Sequence, residues 1–110
     1  MDEIDKFEVR HERNKTSGRY VIDLGPKGIA KMTYSRLSVC KIAIDHTHVP
    51  KGFRNQDLAR KLLEFAIRQA RRNHDKIVPV CSYVQEQFNK HKEWSDVLAD
   101  RKNCPYANSA

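Results

Sequence analysis

The chain has 110 residues, which suits one domain and leaves little room for two. Apolar residues make up 39% and charged residues 32%. One modest core under a heavily ionised surface is therefore expected, and apolar runs at regular spacing argue against disorder along the whole length. The formal net charge of +7 favours anionic partners in general, whether nucleic acid, membrane or phosphorylated cofactor, but the basic residues are not gathered into one block as in a nucleic-acid-binding tail.

The first half reads as strands. "KFEVRHE" (Lys6 to Glu12) alternates weakly, and "GRYVIDL" (Gly18 to Leu24) is rich in β-formers. "GPKG" (Gly25 to Gly28) supplies turn residues, so a hairpin into "IAKMTYSRL" (Ile29 to Leu37) is predicted. "SVCKIAIDHTHV" (Ser38 to Val49) is the longest extended segment. Pro50 and Gly52 end this antiparallel meander. The period then changes: Ala59, Leu62, Leu63, Ala66, Ile67 and Ala70 form one helical stripe, with Arg60, Lys61, Glu64, Arg68, Arg71 and Arg72 on the other face. Glu64 is spaced to pair with Arg68, and the basic residues of the last turn suit the negative helix end. "KIVPVC" (Lys76 to Cys81) reads as a buried strand, with Pro79 tolerable only where the strand has left its neighbour. Ser82 and Gln85 have the spacing of a capping box for a helix to about His91. "EWSDVL" (Glu93 to Leu98) adds a short apolar turn around Trp94, and residues 100–110 read as a loose tail. The order β-β-β-β-α-β-α describes an α+β domain with a core of about residues 6–99.

Cys40, Cys81 and Cys104 lie far apart. They imply neither a zinc site nor a disulfide framework, and so a reducing compartment, cytosol or nucleus, is expected. The start "MDEIDKFEV" has no long apolar run, so neither a secretory signal nor a membrane span is predicted there.

Three segments carry a resemblance to a known family: "IDHTHVP" (Ile44 to Pro50), "FRNQDLARKLLEFAIRQAR" (Phe53 to Arg71) and "IVPVCSYVQEQFNKHKEWSDVL" (Ile77 to Leu98). Together they resemble the smallest single-domain form of the GNAT superfamily of N-acetyltransferases, over roughly Arg19 to Leu98. The resemblance implies a mostly antiparallel sheet whose central strands splay apart, with two or three helices. It implies acetyl-CoA as cofactor, its pantetheine arm between the parted strands and its phosphates on backbone amides at the start of the following helix. The acceptor would be an amine, of a small molecule or of a protein lysine. The cofactor-binding residues it implies are His48, Val49, Arg54, Asn55, Gln56, Asp57, Leu58 and Ala59.

Asp57 stands where the superfamily's loop has glycine. Glycine there permits positive φ and close approach of phosphate to the backbone. A carboxylate at about 6 Å opposes a phosphate charge by roughly 0.7 kcal/mol in water and about 3 kcal/mol at an effective dielectric of about 20. Lys51, Arg54, Arg60 and Lys61 flank the turn and offset part of this. The expected outcome is binding weakened on the order of 10- to 100-fold, a loss of about 1.4–2.8 kcal/mol.

Cys81 and His46 are the candidate catalytic residues. Cys81, at a strand end before a helix, could accept the acetyl group or protonate the departing thiolate; the alternative is a small buried apolar residue. His46 could act as general base, and the alternative is a solvated or hydrogen-bonded histidine. His46 and His48 are two apart with no third ligand evident, so no metal site is expected. Tyr34 and Tyr83 could line a pocket or serve as packing, and His11, His74 and His91 read as surface residues. Two other functions compete: a non-catalytic coenzyme A-binding or protein-interaction module, and a nucleic-acid-binding module using the basic helix face. The second lacks stacking aromatics and base-reading motifs.

Overall fold

A computed structural model describes residues 8–53 and 58–99. Strands β1 (Val9–Arg13), β2 (Ser17–Asp23), β3 (Ile29–Ser38) and β4 (Lys41–His48) are followed by helix α1 (Leu58–Asn73), strand β5 (Lys76–Pro79) and helix α2 (Ser82–Lys90). A 3-10 segment, Lys92–Val97, closes the described chain. The five strands form one sheet in the order β1-β2-β3-β4-β5. The first three pairings are antiparallel and β4–β5 is parallel, as a helical crossover between the last two strands requires. The α+β class and the mostly antiparallel sheet agree with the sequence. Among the described residues no helix is long and apolar enough to cross a membrane.

One sheet face carries the core. Tyr20, Ile22, Ala30, Met32, Tyr34, Ile42 and Ile44 cluster with Leu58, Leu62, Leu63, Ala66, Ile67 and Ala70 of α1. Each fully buried Leu or Ile contributes roughly 1.5–3 kcal/mol relative to exposure. The helical stripe is the predicted one except at its start, where Leu58, one turn before Leu62, is buried and Ala59 is only half-buried. Glu64 pairs with Arg60, at 3.0 Å, and not with Arg68, which lies over the Phe65 ring.

The extended segment predicted from Ser38 to Val49 is broken by a turn at Val39 and Cys40. Val39 points out and Cys40 is fully buried. Cys40 is disulfide-bonded, contrary to the expectation of no disulfides, and Cys81 is free. The GPKG turn forms as a 3-10 turn with Gly25 and Gly28 at φ 69° and 109°, values that favour glycine.

At the end of α1, His74 adopts φ 59° and Asp75 N–H donates to the Ala70 carbonyl, a left-handed helix stop. The Asp75 carboxylate is buried and takes two bonds from the Arg36 guanidinium, at 3.0 and 2.9 Å. This fork ties the end of β3 to the start of β5. Beyond β5, Leu98 bridges to Ile77 and Ala99 N–H donates to the Ile77 carbonyl, so part of β5's outer edge is covered. Trp94 is buried beneath α2, edge-on to Phe88 and stacked on His91.

Candidate functional site

Two irregularities meet in the middle of β4. The first is a bulge. Tyr34 stands opposite Ile44, yet Thr33 stands opposite His46, leaving Asp45 as an extra residue. Strict alternation from Ile42 and Ile44 would aim His46 and His48 into the core. The bulge reverses this. Thr47 now stands opposite buried Met32 on the helix-covered face, and His46 and His48 stand opposite Thr33 and Lys31 on the open face. Both histidines are exposed.

The second irregularity is the departure of β5. Its register with β4 runs from Lys41↔Lys76 to Ile44↔Pro79 and stops. The next two amides, of Val80 and Cys81, both donate to the Ile44 carbonyl, at 3.1 and 2.9 Å. The chain then turns away into α2. Among the described residues, Asp45 to His48 therefore have no strand partner on the β5 side. Pro79, expected where the strand has already left its neighbour, is instead still in register opposite Ile44 as the last paired residue, and having no N–H it gives no ladder bond from its own amide.

Cys81 closes the base of this parting. It is half-buried, and its Sγ lies 3.5 Å from the Thr47 Oγ1 across the gap. Its backbone is extended (φ −68°, ψ 133°), and its carbonyl accepts the Gln85 N–H at 3.0 Å. Cys81 is thus the N-cap of α2. The predicted Ser82–Gln85 box does not form: Ser82 is already the first helical residue, and the Gln85 side chain donates to the Val80 carbonyl instead. The box fails because two amides pinned to Ile44 bring the chain to its turning point one residue early.

The predicted site residues are thus divided. Cys81 and Thr47 meet on the helix side of the sheet. His46 and His48 lie on the open side and make no described hydrogen bond to Cys81. Val49 is half-buried and packs against the core, and Leu58 anchors the start of α1 in it. Ala59 is half-buried on the first turn of α1. Arg54, Asn55, Gln56 and Asp57, like Cys104 and the tail, fall outside the described residues. Thr47 escaped the sequence reading because only the bulge puts it beside Cys81. Among the described residues no group of three His, Cys, Asp or Glu side chains is placed to hold a metal ion.

Two residues expected at the surface belong to the fold, and Tyr34 takes the packing role, one of its two expected alternatives. His11, read as a surface residue, is half-buried and its Nε2 lies 2.6 Å from the Tyr34 hydroxyl. It packs with Tyr20, Tyr34 and Phe65. Burial, then the charges of Arg13 and Arg36, hold its pKa below the ordinary 6.5. Burial likewise pushes the Tyr34 phenol up. Tyr34 serves as packing, and His91, also expected at the surface, is half-buried on Trp94.

A β4 edge that, among the described residues, has no strand partner beyond Ile44, bounded by a small thiol and a hydroxyl, can take a slender chain bearing its own amide groups. The fit rests on hydrogen-bond chemistry: such a chain would satisfy peptide groups that β5 leaves unpaired. The profile of a protein family described as GCN5-related N-acetyl-transferase matches residues 19–97. Among solved structures, the NMR solution structure of a GCN5-like candidate N-acetyltransferase from Staphylococcus aureus is 26% identical. The match covers 86% of this chain and 90% of that one, with a TM-score of 0.67. No curated protein matches the chain.

Proposed function

From the premise that this chain belongs to the GCN5-related N-acetyltransferase family, we propose that it transfers an acetyl group from acetyl-CoA to an amine at the parting of β4 and β5. The observation that carries this is the end of the β4–β5 ladder at Ile44, with Cys81 and Thr47 beside the open edge. The backbone of Asp45 to Val49 would hold the pantetheine arm, and the turn from Arg54 to Ala59 its phosphates. When bound, acetyl-CoA supplies an acetyl thioester: the amine nitrogen forms a bond to the carbonyl carbon, the carbon–sulfur bond breaks, and the electron pair leaves with sulfur.

The chain's own residues manage the protons. An amine is a nucleophile only when neutral, and His46, exposed on the open face, is the base that accepts its proton. The Cys81 thiol is the donor that restores a proton to the leaving thiolate. Backbone amides near His48 and Val49 polarise the carbonyl. A route through an acetylated Cys81 has its own support, because this cysteine is free and its Sγ lies beside the open edge of β4, next to Thr47.

Calorimetric titration of coenzyme A and acetyl-CoA tests the reading. Binding is expected, and Asp57→Gly should tighten it on the order of 10- to 100-fold. No binding to either protein at millimolar ligand removes the acetyltransferase assignment. Incubation with radiolabelled acetyl-CoA separates the routes: label on the wild-type protein that is lost in Cys81→Ala means covalent transfer, whereas wild-type turnover without label on the protein means direct transfer. The basic face of α1 offers nucleic acid less than its composition suggests, since Arg60 is engaged by Glu64 and Arg71 by Asp96.

A further inference from the structure

The open face of the sheet, opposite α1, holds a groove of about 490 Å³. Its walls include Glu12, Ser17, Arg19, Thr33, Ser35 and Asp45, contributed by β1 to β4. The volume falls within the range of small-molecule sites. Its two carboxylates differ. Glu12 is neutralised by Arg19 at 2.7 Å and by Arg10 at 3.4 Å. Asp45 has no basic partner within 4.0 Å among the described residues. One of its oxygens accepts from the Thr33 hydroxyl at 2.5 Å and the other from the Ser35 hydroxyl at 3.3 Å. Those bonds fix the direction of the carboxylate and leave its charge and further lone pairs for a ligand.

The position of Asp45 gives that charge its significance. Asp45 is the bulge residue, it directly follows the last β4 residue paired with β5, and it directly precedes His46. The groove therefore reaches β4 at the point where the gap opens. We propose that this groove is the acceptor subsite and that it takes a protonated primary amine on a short aliphatic chain, its ammonium held by Asp45 beside His46. This rests on the acetyl-transfer reading above and adds the acceptor's charge, class and direction of approach. The ammonium binds to Asp45 as the conjugate acid, and surrender of its proton to the neighbouring His46 leaves the neutral amine that the reaction needs. The carboxylate also holds the resulting imidazolium, by opposite charge.

The test needs no cofactor. n-Butylamine hydrochloride is titrated into the wild-type protein and followed by amide NMR shifts, with 1-butanol as a neutral probe of the same chain length. Shifts are expected at Thr33, Ser35, Asp45 and His46 with the amine and not with the alcohol. Asp45→Asn keeps an oxygen for the two hydroxyls and should weaken the amine about tenfold, a change worth about 1.4 kcal/mol. Thr33→Lys places a positive charge on the groove wall and should weaken the amine likewise, which guards against a folding defect in the first variant. Equal response to the alcohol, no shift at these residues, or unchanged amine affinity in both variants overturns the groove assignment. Coenzyme A binding measured on the same samples keeps the two readings apart, since its absence in the wild type sinks acetyl transfer and leaves the amine result standing on its own.

Discussion

Gly18→Ala is a small change with a large expected effect. Gly18 stands opposite Tyr34 in the β2–β3 ladder. A Cβ there would lie 2.5, 2.6 and 2.9 Å from the Tyr34 hydroxyl oxygen, Cζ and Cε2. All three atoms belong to a ring that cannot simply swing aside: Tyr34 is 5% exposed, packs on Tyr20 at 5.2 Å between centroids and is held by His11. Overpacking of a tight core costs about 1–3 kcal/mol, and displacing the hydroxyl from His11 adds about 1 kcal/mol. Alanine returns roughly 0.4–1 kcal/mol through a less flexible unfolded chain. The net loss is about 1–3.5 kcal/mol, which in a domain of this size lowers the melting temperature by roughly 5 °C or more. Thermal unfolding followed by circular dichroism measures it. Removing the ring removes the clash, so Gly18→Ala with Tyr34→Ala should be less damaging than the sum of the singles, by at least about 1 kcal/mol. A Gly18→Ala protein melting within a degree or two of wild type, or strict additivity in the double mutant, would refute the packing argument.

Two further outcomes concern the scaffold. Arg36→Ala leaves the buried Asp75 carboxylate without its fork, and should cost about 2–4 kcal/mol in urea unfolding, somewhat under the full penalty for a buried pair because Arg36 is partly solvated. Arg71→Ala, whose pairing with Asp96 is solvent-exposed, should cost no more than about 1 kcal/mol and serves as the contrast. His11 bears on pH. Its pKa is depressed in the folded state, so the unfolded chain binds its proton more readily, and stability falls as pH drops from about 6.5 down through the folded value. His11→Gln should flatten that part of the profile. A profile between about pH 7 and about pH 5 that is unchanged in the variant would show that His11 does not contribute.

The sequence made legible whatever depends on period and composition. The α1 stripe follows from which side chains must leave water, and the structure keeps it beyond its first turn, whereas β5, expected as a buried strand through Cys81, ends at Pro79 with only Ile77 fully buried and Val80 exposed. Features set by a neighbour were not legible. Val39 and Cys40 turn the chain without glycine, proline or asparagine, because β4 must run back along β3. Glu64 had a partner on either side at helical spacing, and Arg68 found a ring instead. The N-cap moved from Ser82 to Cys81 because a carbonyl on β4 collects two amides from the end of β5. None of these leaves a mark within its own segment. The resemblance in the Ile44–Pro50 and Ile77–Leu98 segments pointed to the site, but only the register showed which side chains share a face there.

That register explains why the two candidate catalytic residues point apart. A regular β4 would direct His46 and His48 against α1, where burial would keep them from solvent and from any acceptor. One extra residue at Asp45 returns both to the open face and brings Thr47 to Cys81. The departure of β5 at Ile44 then opens the sheet beside the same residue. Each device alone is insufficient: a bulge in a fully paired strand would expose histidines beside a closed ladder, and a parted strand without the bulge would bury them. Deleting Asp45 removes the bulge but leaves His46 and His48 on the open face, because they then alternate directly from Ile44; the deletion thus isolates the groove carboxylate, and acetyl transfer should fall sharply although both histidines keep their face. Measured turnover in such a protein close to that of the wild type would mean that the groove carboxylate takes no part in the reaction.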